Sequence, residues 1–134
     1  MQTMQQRRAA AALTAVREHQ GEDYQGELRS YLHALPAMIH MNGLGQAAAF
    51  HCGKGSGKDS KAQAYRAAYE ILSTWLCAAG QPYARYDNLL DGITQADMHR
   101  YRLAQAEAQA YLDWAKKFAA AFLRGDQERT PDHD

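Results

Sequence analysis

The feature that most constrains this chain lies near its end, where Tyr101, Ala104, Ala108, Tyr111, Ala115, Phe118 and Phe122 recur in alternating steps of three and four. Steps of that size return to one face of a 3.6-residue helix, so the seam predicts one long amphipathic helix. Thr94 and Asp97 precede it as candidate caps and Gly125 follows as a stop. The expected helix, 95–124, spans roughly 45 Å at 1.5 Å per residue. A rod of that length crosses a whole domain of this size, so the other elements must pack along it.

Composition points to the same class. Alanine is about one residue in five, Gln, Leu, Glu and Arg fill much of the rest, and β-branched residues are scarce. At 134 residues the chain can build one hydrophobic core and is too short for two. Its formal net charge is zero, which excludes holding a polyanion by bulk charge and leaves only a local patch for such a partner. Cys52 and Cys77 sit in apolar surroundings without a CxxC frame, and are expected to be buried, reduced thiols in a cytoplasmic protein. A basic-then-apolar leader is absent, as is any apolar run near the roughly 18 residues of a membrane span. No membrane partner is expected.

Other helices announce themselves by caps and stops. Thr3 with Gln6 forms a capping-box pattern ahead of Ala9, Ala12, Leu13 and Val16, and Gly21 closes that segment. A second helix is expected from about Asp23 through Leu35, with Pro36 interrupting or kinking it. Met38, Ile39 and Met41 then form a further buried turn ending at Asn42-Gly43, where glycine suits a left-handed C-cap, and 44–50 resumes as helix. Ser60 with Gln63 is a second capping-box pattern, opening a core helix through Tyr65, Ala68, Tyr69, Leu72, Trp75 and Leu76 to Gly80. Between Pro82 and Gly92 the pattern breaks into a short helix or ordered turns. The fold expected is all-α: a single-domain bundle of about five to seven helices over 1–125 with a long C-terminal helix, a flexible basic loop at 53–60, and an acidic disordered tail at 126–134.

Chemistry is harder to find. The segment GKGSGKDS invites a P-loop reading, but G-x-x-x-x-G-K-[ST] would need glycine at Cys52 and a hydroxyl at Asp59. His33 and His40 lack a carboxylate at ligand spacing, adjacent His51 and Cys52 point apart on a helix, and no G-x-S-x-G occurs. No catalytic residue, metal, cofactor or small-molecule substrate is therefore expected. Tyr111, Trp114, Phe118 and Phe122 are expected in the core, whereas Tyr83 and Tyr86 escape the helical pattern and are candidates for display to a partner. The remaining candidates are cations in three groups: Arg8 and Arg17 with Arg7, Lys54 and Lys58 with Lys61, and Lys116 and Lys117 with Arg124. If the first helix packs beside the end of the last, they form a positive stripe that tracks a phosphate backbone without reading bases. The alternative is a solvated face on which Asp113 pairs with Lys117 four residues on.

One stretch adds a family likeness. LPAMIHMNGLGQAAAF, read with RRAAAALTAV near the start and YLDWAKKFAAAF near the end, resembles the small subunit of type III-B CRISPR (Cmr) RNA-silencing effector complexes. The likeness rests on Arg8-Ala9, Leu35-Pro36, Asn42-Gly43-Leu44, Ala49-Phe50, Lys54 and the run Trp114 to Ala119. Ala115 departs from a usually larger apolar residue, and Lys117 stands where arginine is common. The resemblance implies a non-catalytic, all-helical scaffold of an RNA-guided ribonucleoprotein in antiviral defence, with cleavage supplied by another subunit. Its implied partners are the backbone and large Cmr subunits, further copies of itself stacked in a filament, and guide and target RNA. On that likeness Arg8, Arg17, Lys54, Lys58, Lys116 and Lys117 are expected to contact RNA. A stand-alone helical protein-interaction domain without RNA binding is the alternative.

Overall fold

The computed structural model describes residues 1–125, so the expected tail at 126–134 lies outside the described residues. Five helices and no strand occur among them: α1 Met4–Arg17, α2 Gln25–Lys54, α3 Ser60–Leu76, α4 Leu89–Gln95 and α5 Met98–Phe122. The all-α bundle with a long C-terminal helix is thus as the periodicity implied. The main packing contacts are those of α2 on α3, α2 on α5 and α1 on α5.

Helix α5 is the spine. Asp97 caps it by accepting the Arg100 N–H at 2.8 Å, and its buried residues are Ala104, Ala108, Tyr111, Leu112, Ala115 and Ala119. The aromatic end of the expected seam is not the core: Trp114, Phe118 and Phe122 are only half-buried. A repeat of 3.5 residues on a straight 3.6-residue helix drifts by about 20° per heptad. The repeat therefore drifts off the buried face along the helix, and Leu112, Ala119 and Leu123 fill that face instead. Small residues on that face let α1 and α2 lie close.

Helix α1 begins as its capping box foretold, with Thr3 accepting from Gln6 N and the Gln6 side chain accepting in return from Thr3 N. At the next element two expectations change. Pro36 lies inside α2 without ending it, and its carbonyl accepts the Gln109 side-chain N–H at 3.0 Å. The break falls at Gly43 (φ 88°, ψ 158°), which is the extended positive-φ region open essentially to glycine, and not the left-handed cap conformation. There α2 folds back on itself. Tyr31 and His51 stand twenty residues apart, which on a straight helix would be roughly 30 Å, yet their ring centroids are 6.4 Å apart. Both arms, 25–42 and 44–54, meet Tyr65 of α3, which stacks on Tyr31 at 3.9 Å and meets His51 edge-on at 5.2 Å.

A restarted helix exposes N–H groups that need acceptors. Here α5 supplies them: Gln105 Oε1 accepts from Leu44 N at 2.8 Å and the Tyr101 hydroxyl accepts from Gly45 N at 2.9 Å. The start of α4 is closed in the same manner, by Ser73 Oγ on Leu89 N at 3.0 Å and the Tyr69 hydroxyl on Leu90 N at 3.3 Å.

Four smaller expectations are corrected. The cap of α3 is Asp59, which accepts from Ala62 N at 2.8 Å, and Ser60 becomes the first helical residue. Cys52 is exposed, because the second arm of α2 turns His51, only 2% exposed, inward in place of its neighbour, and Cys77 is half-buried. Tyr83 is fully buried instead of displayed, and Gly92 sits inside α4 without breaking it. A Cβ at residue 92 would lie 2.5 Å from Cγ of the Tyr83 ring, so the absent side chain makes room for that ring.

Two substitutions follow from these contacts. Gly92→Ala overpacks the Tyr83 ring and should lower unfolding stability by about 1–3 kcal/mol. Gln105→Leu leaves the Leu44 N–H without its acceptor and should cost about 1–3 kcal/mol. Urea unfolding of each variant measures both; an unchanged midpoint would mean that neither contact restrains the fold.

Candidate nucleic-acid interface

The cations named from sequence divide into two populations. Two of the arginines, Arg8 and Arg17, are engaged in the fold, whereas Arg7 and Arg124 are exposed. Arg8 forms a two-pronged pair with Glu107, Nε to Oε2 at 2.7 Å and Nη2 to Oε1 at 2.8 Å, and the Trp75 indole N–H adds a third bond to Oε2 at 2.8 Å. Planar guanidinium geometry suits this fork, which clamps α1 and α3 onto α5. Arg17 lies over the Phe122 ring, its Cζ 4.6 Å from the centroid. These two contacts also set α1 running in the same direction as α5. Arg66, which sequence reasoning passed over, donates to the carbonyls of Gly55 and Gly57 and thereby ties the glycine-rich loop to α3.

The lysines remain at the surface. Lys54 and Lys58 are exposed, and Lys116 is half-buried on α5. Lys54 leans over Phe50, its Nζ 5.7 Å from the ring centroid, and Phe50 is itself 41% exposed. Lys117 pairs with Asp113 at 3.2 Å, the arrangement named above as the alternative to RNA contact. Such an exposed i,i+4 pair contributes little and is easily exchanged for another anion.

These groups are partly brought together. Ser60, beside the lysine loop, and Arg124, at the end of α5, line one cleft of about 480 Å³ with Glu22, Asp23 and Glu27. Arg17 belongs to that end through Phe122. Arg8 does not, since Glu107 holds it nearer the start of α5. The three acids at the cleft interrupt the stripe, so its positive stretches are the loop and the lysine turn of α5.

Burial shapes three titrations. The Glu107 carboxyl loses solvation, which favours its neutral form, but bonds from Arg8 and Trp75 and the charge of Arg8 outweigh this and hold it below the ordinary carboxylate value. His51 is pushed down by burial among the rings. His19 is also lowered, chiefly by burial, with its Nδ1 2.6 Å from the Tyr24 hydroxyl. Among the described residues no group of three or more His, Cys, Asp or Glu side chains is placed to hold a metal ion, and no helix is long and apolar enough to cross a membrane.

Taken together, the described residues form a small all-helical bundle with its lysines at the surface. The chain belongs to the family described as CRISPR-associated protein (Cas_Cmr5), whose profile matches residues 4–122, and so is a small subunit of type III-B Cmr effector complexes. A CRISPR-associated Cmr5 family protein from Thermus thermophilus has the same fold, with a TM-score of 0.72 and 28% identity over 92% of this chain and 100% of that one.

Each shifted group makes stability depend on pH with one sign. A depressed folded-state pKa stabilises above the unfolded value and loses that contribution as pH falls. For His51 and His19 the loss begins below about pH 6.5, and for Glu107 below about pH 4.3. The melting temperature should therefore fall between pH 7 and 5. His51→Leu should narrow or reverse its deficit against the wild type over that interval, whereas a gap independent of pH would show that His51 does not resist protonation. Separately, Arg8→Ala strands the Glu107 carboxylate and should cost about 1.5–3 kcal/mol at pH 7; thermal unfolding reads it directly.

Proposed function

We propose that this chain is a non-catalytic scaffold subunit of an RNA-guided type III-B effector complex, stacking with further copies of itself along the guide–target duplex and holding the RNA backbone without reading sequence. The observation that carries the reading is the division of cations. Arg8, Arg17 and Arg66 are engaged in packing, while Lys54 ends α2 and Lys58 stands on the adjoining loop pinned by Arg66. Lysine suits the task, being a mobile point charge that meets phosphate without demanding one geometry. Lys116 and Lys117 add a second contact on α5, and Arg8 serves by fixing α1. Weak contacts of this kind gain strength when many copies bind one strand, because each later contact is effectively intramolecular.

A second reading has its own support. Between α1 and α3 runs a groove of about 590 Å³, walled by Ala10, Ala11, Ala15, Ile71 and Trp75, which fits a helical protein-interaction domain. The two readings differ in salt dependence, since apolar docking is insensitive to salt and phosphate contact is not.

The test is the target-RNA affinity of the reconstituted complex across a salt series. Replacing Lys54, Lys58, Lys116 and Lys117 by Ala should weaken binding, and the removal of each phosphate contact should make the salt slope shallower by about 0.7–0.9. Assembly should persist. Affinity and slope equal to the wild type in an intact complex would reduce these lysines to a solvated face.

A further inference from the structure

At the opposite end of α5 from the lysine loop, the connection between α3 and α4 and the start of α5 enclose a cleft of about 520 Å³. Its walls include Arg85, Tyr86, Asp97 and Arg100, and Gln81 forms its floor. The connection is held by its own backbone, with Gln81 N on Ala78 O at 3.0 Å, Tyr83 N on Leu76 O at 2.9 Å and Ala84 N on Gln81 O at 3.1 Å. The cleft is thus formed before any ligand arrives, which lowers the ordering cost of binding.

Its polar groups are unanswered. Gln81 is only 4% exposed, yet its Nε2 has no hydrogen-bond partner. Arg85 is exposed and makes no hydrogen bond or ion pair with any described residue. Arg100 has only a long contact, 3.5 Å from Nη1 to the Pro82 carbonyl, and keeps its other guanidinium donors free. The one carboxylate present, Asp97, already accepts the Arg100 backbone N–H as the cap of α5. Two guanidiniums face one engaged carboxylate, so the balance is positive. Beside them the half-buried Tyr86 ring is braced edge-on by Tyr83 at 5.9 Å, leaving a ring against which a base can stack.

We propose that this cleft is a second RNA-binding site, in which Arg85 and Arg100 grip a phosphodiester group, Gln81 donates to a non-bridging oxygen, and Tyr86 stacks an adjacent base. A protein carboxylate would satisfy one guanidinium fork but offers nothing to the tyrosine ring. A nucleotide unit offers both an anion and a planar face. The inference rests on the RNA reading above and extends it to arginines at the other end of the bundle, so that one strand engages each copy at both ends of α5.

The experiment measures target-RNA affinity of the reconstituted complex carrying Arg85→Gln with Arg100→Gln, beside the lysine variant already described, with size-exclusion chromatography as the assembly control. At 0.1 M salt one single-strand phosphate contact is worth about fivefold in affinity, from a slope of about 0.7 per contact, so the double variant, which releases one phosphate, should lose roughly fivefold per copy and its salt slope should become shallower. Tyr86→Leu should weaken binding without changing the slope. If the arginine variant binds as the wild type while the lysine variant is weakened, this site is overturned and the RNA reading stands. If neither variant is weakened, both fall. Loss of assembly in the arginine variant would mark the cleft as a protein contact and overturn the proposal.

Discussion

Everything in this bundle depends on how the broken helix α2 restarts. At Gly43 the chain reverses, and the N–H groups of Leu44 and Gly45 are taken up by Gln105 and Tyr101 of α5. Without those acceptors the reversal would leave buried donors unpaired, at a cost comparable to a large share of a small domain's stability. With them, the turn of α2 is registered against one position of α5. Further links, from Gln109 to Pro36 O and from Arg124 N to Gln25 Oε1, hold the first arm antiparallel to the same helix. The second arm then lies over α3, where Tyr31, His51 and Tyr65 fill the space between them. Helix starts closed by side chains of other helices recur at α4, so capping in this protein is a tertiary device as much as a local one.

Charge follows from that architecture. A bundle with narrow, alanine-lined contacts has little apolar area per contact, and it uses arginine to fasten elements where packing alone is thin. Arg8 reaches Glu107, Arg17 covers Phe122, and Arg66 holds the loop carbonyls. The consequence is a neutral protein in which the lysines near one end of α5, and Arg85 and Arg100 near the other, take no part in that fastening.

Much of the fold was legible in the sequence because it rests on local chemistry. The Thr3–Gln6 box, the Asp97 cap and the long periodic helix are short-range signals, and the structure carries all three. What was missed is nonlocal. Nothing near Pro36 says that α5 will hold the helix around it, and nothing near Gly92 says that Tyr83 needs the space. A 3.5-residue repeat stays on one face of a straight helix for only a few heptads, so the seam from Tyr101 points to Phe118 and Phe122 where Leu112 and Ala119 form the core. Among the candidate site residues, sequence could group Arg8 with other cations but could not foresee Glu107, ninety-nine positions away. The family likeness was the more secure signal because it weighed the order of many segments together.

The central claim is that this subunit lies on the RNA and touches it through named surfaces. Photo-crosslinking of target and guide RNA within the assembled complex, followed by mapping of RNA-linked peptides, tests that most directly. Links should appear in peptides carrying Lys54 to Lys61 and Tyr86 to Arg100, and their positions should not depend on target sequence, as expected for backbone contact. An intact complex in which the backbone subunits are linked to RNA while this chain yields no linked peptide would contradict it.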